Sequence, residues 1–268
     1  MTLSVVITHY KTPELLALCI DSIKKTAKNI PYEIIVVDSE TSIENKKFIL
    51  SRYPEVNFIG FEKNVGYAKL VNAGIKEAKG KYILILNADI IVLENAIKTM
   101  LDYLEVNDTV GIVGPQLLDF TNKIQASCFA DPTPRAILAR RTFFGKTKQG
   151  KEELKKFTIG DWDKKSVREV DWVQGSAMLV RKELVNKIGL MDEAFFMYFE
   201  DADWCRRFRK NGYKVVYLPS AQMAHYYHRA SKKLGFILDI LFNKYTRIHI
   251  QSSLKYFSKW KKNEKVEQ

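Results

Sequence analysis

Three groups of polar side chains in this 268-residue chain have types and spacings that could do chemistry. The first is Asn87-Ala88-Asp89, directly after the apolar run Tyr82–Leu86. A carboxylate just past a buried strand can hold a hard cation between two phosphates, because Mg²⁺ takes oxygen ligands and keeps several waters. The same Asp could equally cap a turn. The second group is Glu200-Asp201-Ala202-Asp203, with three acids in four residues. At a helix start they would suit the positive end of the helix dipole, a purely structural role. Successive helical residues point about 100° apart, so the three cannot all face one pocket. One of them could take a proton from an attacking hydroxyl. Phe195, Phe196, Tyr198, Phe199 and Trp204 surround this group and could form either a water-excluding sugar platform or core. The third group is His225-Tyr226-Tyr227-His228, whose histidines could ligate a metal, meet a diphosphate or serve structure alone.

The elements that must position these groups read as a βα alternation. Leu3–Thr8 is a short apolar, β-branched run suited to a strand buried on both faces. Thr12-Pro13-Glu14 opens a helix, with Thr12 as N-cap and Pro13 at the first position. Strands follow at Glu33–Val37, Val56–Phe61, Tyr82–Leu86 and Val110–Val113, with helices predicted over Tyr67–Ala78 and Glu94–Val106. This predicts an α/β fold with a mostly parallel sheet flanked by helices. His9, Tyr10, Asp38, Asn64, Asn87 and Asp89 all fall just past strand C-termini, the edge where open α/β sheets bind ligands. After Pro115 the alternation stops, and residues 120–168 read as a basic, loop-rich insertion. Regularity returns around Trp172, at Ala177–Val180, over the helices Lys182–Ile188 and Asp201–Asn211, and at Lys214–Leu218 before Pro219.

Charge separates these regions. The net charge is +12, yet residues 132–168 hold 11 Lys/Arg against 4 Asp/Glu and residues 231–268 hold 9 against 3. The remainder is nearly neutral, so two segments seek phosphates while the core does not. With 46% hydrophobic residues the chain can bury a substantial core. Three cysteines without metal-type spacing, and a start without a charged, apolar leader, predict a reducing cytoplasmic setting.

In order and spacing these motifs resemble the family-two glycosyltransferases of the GT-A fold, over roughly residues 3–230. The carrying residues are His9-Tyr10, Asp38, Asn64-Val65-Gly66, Asn72-Ala73-Gly74, Asn87-Ala88-Asp89 and the stretch Met191-Asp192-Glu193 to Phe199-Glu200-Asp201-Ala202-Asp203-Trp204-Cys205. That last stretch is similar to the rhamnosyltransferase branch, which builds O-antigen and cell-wall polysaccharide. The resemblance implies a Rossmann-like GT-A domain over 1–230 and an inverting transfer from dTDP-rhamnose or a UDP-sugar. The acceptor would be a glycan or a polyprenyl-diphosphate-linked sugar. Asp38 would accept from the pyrimidine base, His9 and Tyr10 would flank it, and Asn64, Gly66, Lys69 and Asn87 would lie along the nucleotide. Asp89 would hold Mg²⁺ or Mn²⁺, with His225 as a further ligand, and Asp201 would be the base. Trp172, Gln174, Glu200 and Trp204 would contact sugar or acceptor. Two positions depart from the family pattern: Asn87 where the metal motif often begins with Asp, and Lys11 where relatives often carry Asn.

Rival readings are weaker. A nucleotidyltransferase would want a glycine- and lysine-rich phosphate loop near the N-terminus, which Thr8–Thr12 lacks. A nucleic-acid-binding protein would leave Asp38, Asp89 and the acids at 200–203 facing a polyanion, so nucleic acid is not an expected partner. A non-catalytic glycan-binding relative would have no need to keep Asp89 and Asp201. The tail, 231–268, places Leu234, Leu238, Leu241, Tyr245 and Ile248 on one helical face among lysines, with Phe257 and Trp260 as interfacial aromatics. It has no run near the roughly 20 apolar residues that span a bilayer. This predicts a helix lying on an anionic membrane surface at the inner face of the membrane. The alternative is that the same face packs on the catalytic core or on a second copy in a homodimer.

Overall fold

The computed structural model describes residues 1–226 and 243–266. The chain order is β1 (Leu3–His9), α1 (Pro13–Thr26), β2 (Tyr32–Ser39), α2 (Ile43–Arg52), β3 (Asn57–Phe61), α3 (Tyr67–Glu77), β4 (Tyr82–Asn87), β5 (Ile90–Val92), α4 (Ala96–Glu105) and β6 (Val110–Leu118). There follow β7 (Cys128–Phe129), α5 (Pro134–Arg141), α6 (Lys148–Phe157), β8 (Arg168–Glu169), β9 (Trp172–Val173), β10 (Ala177–Arg181), α7 (Lys182–Ile188), α8 (Glu200–Lys210), β11 (Lys214–His225) and α9 (Lys244–Val266).

The main sheet runs β3-β2-β1-β4-β10-β6-β11-β5, with β8 beside β11. Its first four strands are parallel, β10 is antiparallel to both of its neighbours, and β6 and β11 are again parallel. Every residue of β1 is buried, because alternate side chains feed two cores. Leu3, Val5 and Ile7 pack with α1, α2 and α4 on one face, while Val6 packs with α3, α7, α8 and α9 on the other. The expected α/β architecture with helices on both faces is therefore present.

The topology explains where polar residues gather. β1 sends the chain to β2 on one side and lies against β4 on the other, so a crevice opens at the C-terminal ends of these strands. Register then aligns the edge, pairing His9 with Asp38 and Thr8 with Asn87. Because β10 runs the opposite way and pairs Ala177 with Leu86, the turn before it, Gly175-Ser176, arrives at that same edge.

Three expectations need correction. Residues 120–168, expected as loops throughout, also hold two helices: α5 and α6 form there, capped by the Thr133 and Thr147 hydroxyls, which accept from Ala136 and Gly150 N–H. Capping residues rather than apolar periodicity define these helices, and α6 buries only Gly150 and Phe157. β6 continues through Pro115 to Leu118, and β11 continues through Pro219 to His225. A break in register between Leu218 and Gln222 lets β11 pass its proline, as a bulge allows. Finally, α9 packs on the catalytic core. Tyr256 and Trp260 are buried with α8, and Ser252 Oγ donates to Met197 O at 2.8 Å. Trp260 is thus core rather than an interfacial aromatic, while Leu234, Leu238, Leu241 and His228 lie outside the described residues.

Candidate active site

The acids of α8 are aimed by an unusual entry into the helix. Tyr198 and Phe199 both take left-handed backbone conformations, φ 71° and 72°, which costs energy for residues with large side chains. The helix then begins at Glu200, with Glu200, Asp201 and Asp203 in its first turn. Asp201 points to the sheet edge, where Oδ2 accepts from Gly175 N–H at 3.0 Å and Oδ1 from Ala202 N–H at 2.8 Å. Glu200 is buried, and its Oε2 has no hydrogen-bond partner among the described residues. Asp203 faces the other way, fully buried against Arg207, Lys259 and Trp260. The three acids thus divide as helical geometry requires, and Asp203 is structural.

Burial raises the Asp201 carboxyl above its usual range, opposed by the Gly175 and Ala202 amides and by the Arg140 charge. Glu200 is raised well above its usual value, by burial first and the Asp201 charge second. Of the two, Asp201 is the one whose carboxylate oxygens are both held by backbone N–H groups on the wall of the cleft.

Asp89 and His225 meet on the adjoining edge, where β5 follows β4 and β11 ends. His225 Nδ1 donates to Gln125 Oε1 at 3.0 Å, and Gln125 Nε2 donates back to His225 O at 3.0 Å. That fixes the tautomer and turns Nε2 toward Asp89 Oδ2, 3.6 Å away. Two lone-pair-bearing atoms at a spacing too long for a hydrogen bond suit a shared cation. Asp89 Oδ1 is also buried without a hydrogen-bond partner among the described residues. No group of three or more His, Cys, Asp or Glu that could hold a metal occurs among the described residues. A pair of protein ligands nonetheless fits a cation that takes its remaining oxygens from phosphates and water.

On the β1–β2 side, His9 and Asp38 are buried together, His9 Nδ1 donating to Asp38 Oδ1 at 2.7 Å. His9 Nε2 accepts from Thr12 N–H at 2.9 Å, so both ring nitrogens are engaged within the protein. Asp38 Oδ2 remains a buried acceptor without a hydrogen-bond partner among the described residues. Tyr10 is exposed, and Lys11, at φ 57°, covers its ring and pairs with Glu40 at 2.5 Å. The cation that departs from the family pattern is therefore already matched by a carboxylate.

Asn64 and Gly66 brace the loop before α3. Asn64 Oδ1 accepts from Gly66 N–H at 3.0 Å, and Gly66 has φ +86°, where a Cβ would collide with Phe196 O. Tyr67 N–H donates to that same carbonyl at 2.7 Å, and Tyr67 Oη donates to Gly175 O at 2.5 Å. Lys69 is exposed on α3.

A cleft of about 1080 Å³ brings together Asn87, Trp172, Gln174, Glu200, Asp201 and His225. His9, Tyr10, Asp38, Asn64, Gly66, Lys69 and Asp89 are not on its wall. Trp172 joins the insertion to this wall: its indole N–H donates to Ala130 O at 2.9 Å and its ring stacks on Phe129 at 4.5 Å. Trp204 is not at the site. It is 0% exposed, donates to Gly189 O and packs on Phe208, because its helical position turns it into the core. Tyr67, Gln125, Gly175, Arg140, Arg141 and His249 also line the cleft and carried no motif-level signal.

The family model for glycosyl transferase family 2 matches residues 4–189, well over half the chain. The chain belongs to this family. Among relatives, rhamnosyltransferase WbbL of Escherichia coli is 28% identical over 258 residues, covering 89% of each protein. N-acetylglucosaminyl-diphospho-decaprenol L-rhamnosyltransferase of Mycobacterium tuberculosis is 27% identical over 216 residues, 73% of this chain and 67% of that one. Of solved structures, GalNAc-T7 with UDP, GalNAc and Mn²⁺ aligns with TM-score 0.63 at 17% identity, covering 85% of this chain and 43% of that one. Mannosyltransferase PcManGT from Pyrobaculum calidifontis, in complex with GDP-Man and Mn²⁺, aligns with TM-score 0.59 at 16% identity, covering 96% and 64%. The chain thus spans less than two thirds of either solved protein, and these likenesses establish the GT-A-like fold alone. As a family 2 glycosyltransferase, it is not the nucleotidyltransferase of the rival reading.

Proposed function

We propose that this glycosyltransferase catalyses inverting transfer of a sugar, rhamnose foremost, from a nucleoside-diphosphate donor to a glycan or polyprenyl-diphosphate-linked acceptor. The observation that carries this reading is Asp201, held by backbone amides on the cleft wall, with the Asp89–His225 pair on the adjoining edge. Asp38 Oδ2, buried and unmatched by hydrogen bonds among the described residues, would accept the imide N–H of a pyrimidine. His9 fixes that carboxylate, and Asn87, at the end of β4, would lie along the nucleotide. Asp89 and His225 would hold Mg²⁺ or Mn²⁺. Such a cation, when bound, offsets charge on the departing diphosphate. Asp201 takes the acceptor hydroxyl's proton as that oxygen attacks the anomeric carbon opposite the leaving group, and one base suffices for such a single displacement. Gly175 and Ala202 hold both carboxylate oxygens in place, while Gln174 and Trp172 would frame the sugar.

The relatives support the choice of sugar and acceptor, since their names specify rhamnose and, in one case, a diphospho-decaprenol carrier. No helix among the described residues is long and apolar enough to cross a membrane. We take a lipid-linked acceptor to be met at the cytoplasmic face of an anionic membrane, as the excess of Lys and Arg over 231–268 suggests. A donor panel of dTDP-rhamnose and UDP-sugars, scored for nucleoside diphosphate release with and without acceptor lipid, tests the reading. Acceptor-stimulated release from dTDP-rhamnose is expected. Release from no nucleotide sugar at all would sink the proposal.

A further inference from the structure

The insertion and the last helix also contribute to the cleft that holds Asp201. There it is lined by Arg140 and Arg141 of α5, Lys146 after it, and His249 of α9. Arg140 lies over the rings of Phe157 and Phe129, 5.3 and 5.9 Å from their centroids, so an aromatic bed supports its guanidinium. His249 is held between Tyr198 and Phe199, ring centroids 5.1 and 5.2 Å away, and its Nδ1 is buried without a hydrogen-bond partner among the described residues. Burial and the charges of Arg141 and Arg140 push its imidazole down to about 3. Arg140 also acts on Asp201, which places this positive field beside the base. The apolar wall of the same region includes Ile137, Leu154 and Phe157.

The geometry points to a second anion subsite, formed by Arg140, Arg141 and His249, that binds the diphosphate of a prenyl-diphosphate-linked acceptor. This deepens the functional reading above and rests on it. An acceptor sugar whose hydroxyl lies at Asp201 carries its own diphosphate one ring away, on the side opposite the donor. Guanidinium groups match phosphate oxygens in paired hydrogen bonds. The neighbouring Ile137, Leu154 and Phe157 suit the first carbons of a prenyl chain. The donor diphosphate has its own site at Asp89 and His225, so two phosphate groups would flank the reacting centre.

The test is calorimetric binding of farnesyl diphosphate, a prenyl diphosphate without a sugar, to the full chain. Farnesol and a nucleoside diphosphate with Mn²⁺ are the comparison ligands. Farnesyl diphosphate is expected to bind at least tenfold more tightly than farnesol, and equally well with the nucleoside diphosphate saturating. Arg140→Gln with Arg141→Gln should weaken it at least tenfold, while Arg140→Lys, which keeps the charge, should lose less. In the wild type, binding should also raise the His249 titration followed by imidazole NMR, since an anion there stabilises the charged ring. Competition between farnesyl diphosphate and the nucleoside diphosphate would put the phosphate in the donor site and overturn the inference. Equal affinity for farnesol would overturn it too. If the subsite binds additively but no nucleotide sugar is turned over, the transfer reading fails and the subsite stands. If nucleotide sugars are turned over but farnesyl diphosphate does not bind, the subsite alone fails.

Discussion

The indole N–H of Trp260 donates to Asp203 Oδ1 at 3.1 Å, tying the last helix to α8, the helix that carries Asp201. Lys259 Nζ reaches the same carboxylate at 2.8 Å, and Arg207 Nε donates to its other oxygen at 3.0 Å. Asp203 is fully buried, so removing its partners leaves a charge poorly matched in the core. Trp260→Ala is therefore expected to cost about 3–5 kcal/mol, the range for deleting a buried aromatic. Trp260→Phe should cost less, since it loses mainly the hydrogen bond. Urea denaturation of both variants measures this. Ending the chain near Arg229 should unfold the domain rather than release a soluble core. A truncated chain with native stability would return α9 to the role of a detachable anchor.

Asp201→Asn keeps the size of the side chain and part of its hydrogen bonding but cannot accept a proton. Turnover should fall by about 10²–10⁴-fold, the usual worth of a general base, with nucleotide-sugar affinity little changed. Glu200→Gln keeps the size of a side chain whose carboxyl burial already holds well above its usual range, so its loss should be much smaller. Steady-state kinetics on the two variants decides the matter. The opposite ranking would move the base to Glu200.

The parts of this fold legible in sequence are those where burial is uniform or chain order alone sets position. β1 and β4 are buried on both sides, so their apolar runs stand out, and spacing placed Asp89 just past β4 and Asp38 at the C-terminal end of β2, although Asp38 lies within that strand rather than beyond it. The pairing of Gln125 with His225 joins residues 100 apart and leaves no local trace. Gly175 likewise reaches Asp201 only because β10 runs antiparallel to β4. In α9, the apolar face that fits a membrane surface fits a protein core equally well, and only packing tells them apart. Trp204 misled for a related reason: an aromatic beside a cluster of acids looks like a sugar platform until its helical direction is known.

Turnover should require a divalent cation held through Asp89. Excess chelator should abolish transfer, and Mg²⁺ or Mn²⁺ should restore it. Asp89→Ala should not recover at ordinary metal concentrations, and titration of Mn²⁺ by electron paramagnetic resonance should show weakened binding. Gln125→Ala frees the His225 ring to turn, and orienting partners of metal ligands are typically worth about 10–100-fold in affinity. Full activity in chelator would refute the assignment and leave basic side chains to neutralise the diphosphate.

His249 should make the fold acid-sensitive in a defined window. Its imidazole is pushed down to about 3 in the folded protein, by burial first and then by Arg141 and Arg140. The unfolded chain takes up the proton near the ordinary value of about 6.5. Between these values the unfolded state binds more protons, so stability is full above about 6.5 and falls as pH drops toward 3. From pH 7 to 5 the loss from this one ring is about 2 kcal/mol, at about 1.4 kcal/mol per unit. Glu200 contributes with the opposite sign, because its raised carboxyl favours the folded state at low pH. That contribution is common to the wild type and to His249→Phe, and cancels in their difference. Denaturant titrations of both proteins at pH 7 and pH 5 should therefore show the wild type losing about 2 kcal/mol more than the variant. Parallel losses would mean that the ring ionises normally in the folded state, and that the Arg140–Arg141 end of the cleft is wetter than its packing indicates.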